Sequence, residues 1–169
     1  QDSVGNCIFP TDGTVVKYIG DAIFAFWNAP DPQADHARRA CDAALLFRTQ
    51  QIIEVKGRPL ITRIGLHSGV ANVGNFGSTQ RMDYTAIGEN INLASRMEGL
   101  NKYVGTETLV TEATYTQVAN QYVFRPLGQF ILKGFERPFG VYELCGPLDR
   151  AAEFAELHTA FAEALSHFK

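Results

Sequence analysis

Between Thr14 and Trp27 the chain reads as two short runs of β-branched and aromatic residues, TVVKYI and AIFAFW, separated by Gly20-Asp21. Two such runs with a two-residue Gly-Asp spacer predict a tight hairpin. NAPDPQADHA then sets Pro30, Asp31 and Pro32 where a turn and a helix start are expected. From Ala37 the small apolar residues Ala40, Cys41, Ala44 and Leu45 recur at helical spacing, which predicts a helix to about Glu54 with a narrow, closely packing face. ITRIGLH and VANVG predict a second hairpin turning at Ser68-Gly69. DYTAIGENINLASRMEGL changes from strand to helix at Gly88, and Leu93, Met97 and Leu100 give that helix an apolar stripe at spacings of four and three.

A strand over 108–111, a helix over 112–119 and a closing strand pair, 129–132 with 140–144, complete the pattern. Helices alternating with mainly antiparallel strands make this an α+β chain. After Pro147 the character changes: Phe154, Leu157, Phe161, Leu165 and Phe168 fall three or four apart. That spacing predicts an amphipathic helix over 148–169 that packs on the domain, on a second chain or on a further module. No internal repeat or low-complexity segment is present.

Composition narrows the class. The 169 residues fit one domain, 46% hydrophobic and 20% charged. No apolar run approaches the roughly 18 residues of a spanning helix, and QDSVGNCIFP lacks the basic-then-apolar layout of a signal peptide, so a cytoplasmic domain with no membrane segment is expected. Cys7, Cys41 and Cys145 are odd in number and far apart, which suits reduced buried thiols. A net charge of -3 argues against a nucleic-acid partner or an anionic membrane. It leaves room for a small polyanion, because a triphosphate site needs only a few local cations and a divalent metal.

Several side chains carry candidate chemistry, each with a plain reading beside the functional one. Asp21 suits a hairpin turn, and equally places a carboxylate where a hard cation can be held against phosphates. In a regular strand Lys17 shares a face with Val15 and Ile19; it is either a snorkelling lysine or a donor to a purine ring. Asn92 and Arg96, four apart, share one helix face beside the apolar stripe, as an exposed polar face or as a grip on a ribose oxygen and a phosphate. Lys133, before Gly134 at a strand end, either solubilises a turn or reaches a terminal phosphate. Gly65, Gly69, Gly74 and Gly77 lack a P-loop or dinucleotide setting and read as hairpin glycines. His36, His67 and His158 have no partner at metal-ligand or triad spacing and receive no role.

Taken together, GTVVKYIGDAIFAFWNAP, RIGLHSGVANVGNFGSTQRMDYTAIGENINLASRME and FILKGFERPFGVYEL resemble, in order and spacing, the catalytic domain of class III nucleotidyl cyclases over roughly residues 8 to 145. The resemblance implies a ferredoxin-like α+β core that works as a head-to-tail homodimer with two divalent cations, magnesium or manganese, at each interfacial site. It implies that Asp21 is a metal ligand, that Lys17 and Thr85 read the base, that Asn92 and Arg96 serve the transition state, and that Lys133 binds the triphosphate. Lysine with threonine at the base-reading positions is similar to the bacterial and soluble adenylyl cyclases, so the implied reaction is ATP to 3′,5′-cyclic AMP and pyrophosphate.

The family's first metal aspartate lies in a motif like F-x-D-x-x-G-F-T ahead of the hairpin, and neither Asp2 nor Asp12 stands in that context. Residues 1–147 are accordingly expected to be an N-terminally incomplete catalytic domain lacking the usual first strand and first helices, with an upstream regulatory domain as a further expectation. As a fragment the chain is expected to be inactive alone. Guanylyl cyclase and a non-catalytic nucleotide-sensing or dimerisation module are the alternatives.

Overall fold

A computed structural model of the chain describes residues 2–20, 22–50, 54, 55, 58, 59 and 61–167. In chain order the elements are α1 (Asp2–Ile8), β1 (Thr14–Ile19), β2 (Ala22–Phe26), α2 (His36–Gln50), β3 (Glu54–Val55), β4 (Arg58–Pro59), β5 (Ile64–Leu66), β6 (Asn72–Ser78), β7 (Arg81–Ile87), α3 (Glu89–Val104), β8 (Thr108–Thr111), α4 (Glu112–Val118), β9 (Tyr122–Ile131), β10 (Pro138–Pro147) and α5 (Ala151–Ser166). The periodicity reading has nothing ahead of Thr14, where the structure places α1; seven residues with one glycine are too few for a periodic signal.

β1 and β2 form the predicted antiparallel hairpin, with Ile19 opposite Ala22. Gly20 adopts φ +63°, the left-handed conformation that tight hairpin turns demand and that glycine takes without steric cost. Asp21, the residue beside it, lies outside the described residues. In α2 the buried face is Ala37, Cys41, Ala43 and Ala44, the narrow small-residue face that the spacing predicts. The expected helix end is corrected: Glu54 is in β3 and pairs with Pro59 of β4. Ile52, Ile53 and Val55 are β-branched, which disfavours continuing the helix.

The second predicted hairpin is also corrected. β5 does not turn back onto β6; it runs parallel to β8, while β6 pairs antiparallel with β7. Parallel neighbours need a crossover, and α3 supplies it. Gly65 makes the crossover close: a Cβ there would stand 2.2 Å from Glu98 N and 2.5 Å from Ala94 O of α3. Its neighbours Ile64 and Leu66 point to the other face, as strand alternation requires.

The resulting sheet has the order β5-β8-β10-β9 with apolar side chains on both faces. On one face α2 and α4 bring Cys41, Ala44 and Val118 against Val110, Tyr122 and Leu144. On the other, Leu93 and Met97 of α3 meet Leu109, Leu127 and Val141. Every residue of β8 is buried, which is why that strand shows no apolar-polar alternation in the sequence. The fold is thus α+β with helices packed on a mainly antiparallel sheet. β9 and β10 are each ten residues long and extend well beyond the four or five residues expected of the closing pair.

Asn101 locks α3 to the sheet. It is fully buried, donates from Nδ2 to Ile64 O at 2.9 Å and accepts at Oδ1 from Thr106 Oγ1 at 2.8 Å. At the other end of the chain, α5 lies on β9 and β10. The Arg125 guanidinium, ion-paired with Glu143, sits 4.5 Å from the centre of the Phe161 ring, and His158 Nε2 is 3.6 Å from Cys145 Sγ. The expected last apolar position of that helix, Phe168, is outside the described residues.

Two stability outcomes follow from the α3–β5 contact. Gly65→Ala places a methyl group against backbone atoms that cannot swing aside, so a loss of about 2 kcal/mol or more is expected in urea-induced unfolding. Asn101→Leu strips partners from a buried carbonyl and a buried hydroxyl, with an expected cost of about 2–4 kcal/mol in the same measurement.

Candidate active site

Two candidate groups come from α3. Asn92 and Arg96 are exposed and one turn apart, beside Leu93 and Met97, which are 1% and 0% exposed. The helix therefore uses one side to bury its stripe and leaves an amide and a guanidinium exposed on another. Gly88 caps the helix with no side chain of its own, and an acidic residue, Glu89, occupies the first turn, where the helix dipole favours it.

Lys17 is exposed on β1, and its environment corrects one expectation. The register shifts between Val15, paired with Ala25, and Lys17, paired with Phe24. Cross-strand partners share a face and consecutive residues of β2 alternate, so the bulge at Val16 puts Lys17 on the face opposite Val15 while leaving it with Ile19. Thr85 is half-buried in β7 opposite Gly74, next to the buried Ala86. The rings of Phe26 and Tyr84 approach to 6.1 Å, which brings the β1–β2 hairpin and the β6–β7 hairpin into contact near Thr85. Lys133 heads a tight turn closed by Phe135 N–H donating to Leu132 O at 3.0 Å, with Gly134 at φ +91° in the position that requires glycine.

Among the described residues no side-chain hydrogen bond, ion pair or ring contact engages Lys17, Thr85, Asn92, Arg96 or Lys133. Other cations are neutralised: Arg39 by Asp35 and Asp12, Arg38 by Asp35 and Asp42, Arg125 by Glu143. Asp12 is thereby a turn residue, at φ 56°, tied to α2. Asp35, which shares Arg39 with Asp12, is held down to about 2 by the hydrogen bonds it accepts from Arg39 and Arg38. Two open clefts of about 310 Å³ occur elsewhere, and none of the five residues lines either one. Lys17, Asn92, Arg96 and Lys133 are exposed, and Thr85 is half-buried.

The sequence reading gave His67 no role, yet the structure sets it in a network. Its Nδ1 is 2.8 Å from Thr111 Oγ1 and its Nε2 is 2.9 Å from Asn90 Oδ1, while Asn90 Nδ2 donates to Val70 O at 2.7 Å. Burial lowers the pKa of His67 and Arg137 adds to the effect, against the hydrogen bond to Asn90, which raises it. The partners are 44 and 23 residues away, beyond the reach of any local spacing rule.

For cations, the chemistry of a hairpin-tip carboxylate suits magnesium or manganese, which prefer oxygen ligands. Among the described residues no three His, Cys, Asp or Glu side chains gather closely enough to hold a metal ion. Asp21, the ligand expected, lies outside them.

The profile of the family described as "Adenylate and Guanylate cyclase catalytic domain" matches residues 6–146. Among curated proteins, Adenylate cyclase 1 of Rhizobium meliloti is 40% identical over 157 residues, covering 88% of this chain and 23% of that protein. The chain therefore spans about a quarter of the length of that relative. Among solved structures, the adenylyl cyclase CyaB from P. aeruginosa superposes with a TM-score of 0.69 at 28% identity, covering 85% of this chain and 77% of that one. The guanylate cyclase domain of RhGC from Catenaria anguillulae, in complex with GTP, gives 0.71 at 26% identity, covering 86% and 78%. With the matched span running from the end of α1 to the end of β10 and the backbone agreeing with cyclase domains of both kinds, the chain belongs to the adenylate and guanylate cyclase catalytic domain family.

Proposed function

We propose that the protein is an adenylyl cyclase, converting ATP to 3′,5′-cyclic AMP and pyrophosphate at sites shared between two copies of the chain. The observation that carries this reading is a set of exposed polar groups that no side chain among the described residues engages: Asn92 and Arg96 on the open side of α3, with Lys133 on its turn and Lys17 on β1. Exposed groups of this kind become a site when a second copy covers them. The relative named an adenylate cyclase at 40% identity supports ATP over GTP.

In the reaction the ribose 3′-oxygen forms a bond to the α-phosphorus as the bond from that phosphorus to the bridging oxygen of the β-phosphate breaks. The hydroxyl proton leaves to solvent and pyrophosphate departs. Arg96 meets the charge that builds on the α-phosphate, and a guanidinium fork suits two of its oxygens. Asn92 holds the ribose so that its 3′-oxygen faces phosphorus, and Lys133 holds the terminal phosphates. Lys17 donates to the purine and Thr85 offers a hydroxyl to the base edge. Asp21 would supply one of the carboxylates that hold the divalent cations, which when bound would lower the pKa of the attacking hydroxyl and neutralise the leaving group. No side chain of this chain is required as a nucleophile.

Full-length protein with ATP and manganese is expected to release cyclic AMP, and chelation to stop it until metal is returned. Arg96→Ala is expected to lower kcat by about 10²–10³-fold with a smaller change in KM, since its interaction is strongest in the transition state. No cyclic nucleotide from either ATP or GTP, with ATP still bound after Asp21→Ala, would instead identify a nucleotide-sensing module. For the base, Lys17→Ala is expected to reduce the ratio of kcat/KM for ATP over GTP by about 10- to 100-fold, the worth of one charged hydrogen bond. A wild-type preference for GTP would make the enzyme a guanylyl cyclase.

A further inference from the structure

We propose that His67 is a positioning residue for the cyclisation: it fixes the first turn of α3, and through that turn the placement of Asn92 and Arg96. The inference rests on the catalytic reading above and adds a residue to it.

α3 begins without a side-chain cap, because Gly88 at its N-cap has none to give. What holds the helix start is tertiary. Asn90, in the first turn, is gripped on both sides of its amide: Nδ2 donates to Val70 O at 2.7 Å and Oδ1 faces His67 Nε2 at 2.9 Å. Gly69 leaves the room for this, since a Cβ at that position would lie 2.5 Å from Asn90 Cγ.

The pattern assigns the protons. With Nδ2 committed to a carbonyl, Oδ1 must accept, so His67 carries its proton on Nε2. Nδ1 is then the acceptor and takes the hydroxyl of Thr111, a residue 1% exposed at the end of β8. One neutral imidazole thus spans the end of β5, the end of β8 and the start of α3.

Helical geometry makes the consequence specific. Each residue advances about 100° around the axis, so Asn92 stands about 200° from Asn90, pointing away from the anchor, and Arg96 follows Asn92 one turn later. A rotation of the first turn about its axis swings Asn92, which belongs to that turn, directly, and reaches Arg96 through the turn that follows. A displacement near 1 Å at a reacting centre costs up to about 100-fold in rate. Lys133, Lys17 and Thr85 stand on other elements, so ground-state binding is left largely intact.

The test uses full-length protein with ATP and manganese. His67→Phe, which keeps the ring and loses both hydrogen bonds, is expected to lower kcat by about 10- to 100-fold with KM for ATP within about threefold. His67→Gln, whose amide N–H can reach Asn90, is expected to recover much of that loss. Should the phenylalanine variant fold poorly, Asn90→Ala removes the same contact from the helix side. Combining it with His67→Gln is expected to cost no more than Asn90→Ala alone.

Amide hydrogen exchange of the nucleotide-free protein gives a readout independent of turnover: residues 89–96 are expected to exchange faster in His67→Phe and near the wild-type rate in His67→Gln. A raised KM with unchanged kcat, additive losses in the double variant, or unchanged exchange over 89–96 overturns the inference. If the wild type turns over neither nucleotide, the catalytic reading fails and the positioning role with it, while the exchange data still show whether the anchor exists.

Discussion

The close seating of α3 on β5 is the contact on which the arrangement depends. At Gly65 two pieces of backbone meet with no side chain between them, and about one turn further along the same helix the Asn101 amide binds the carbonyl of Ile64. The apolar stripe of Leu93 and Met97 packs on the sheet along the same stretch of helix. Because the helix is pressed onto the sheet along that one side, the residues beside the stripe are directed outward. Asn92 and Arg96 are exposed for the same reason that Leu93 and Met97 are not.

Polar groups divide accordingly into two populations. Inside, Asn101, Thr106, Thr111 and the half-buried His67 and Asn90 spend their donors and acceptors on one another and on loop carbonyls. Such networks hold elements at a fixed distance and rotation, which apolar contact alone does less specifically. Outside, Lys17, Asn92, Arg96 and Lys133, with the half-buried Thr85, have no side-chain partner among the described residues. The first population supplies rigidity and the second has its bonding capacity in reserve. That division suits a site whose ligand and opposite wall come from elsewhere.

Local chemistry made much of the architecture legible. The Gly-Asp spacer marked the β1–β2 hairpin, the stripe at spacings of four and three marked α3, and short β-branched runs marked β8. Legibility ended where pairing was decided at long range. ITRIGLH and VANVG are separated by Ser68-Gly69, which reads as a hairpin, but Gly65 serves the approach of α3 and β5 pairs with a strand more than forty residues on. The bulge at Val16 reversed the faces of Val15 and Lys17 with no proline or glycine to announce it. His67 went unassigned because its partners come from two other elements. The candidate residues on α3 and at the Lys133 turn stand where the motifs lead one to look, whereas the role each plays rests on the proposal.

The sequence by itself determined the α+β class, most element positions, the orientation of the α3 stripe and the family, because all of these are written in local periodicity, turn chemistry and motif order. Only the tertiary structure decided that β5 runs parallel to β8, that Lys17 faces away from Val15, and that one histidine ties three elements together. Those are properties of which segments lie side by side, and a chain's neighbours in space are chosen by the packing of the whole.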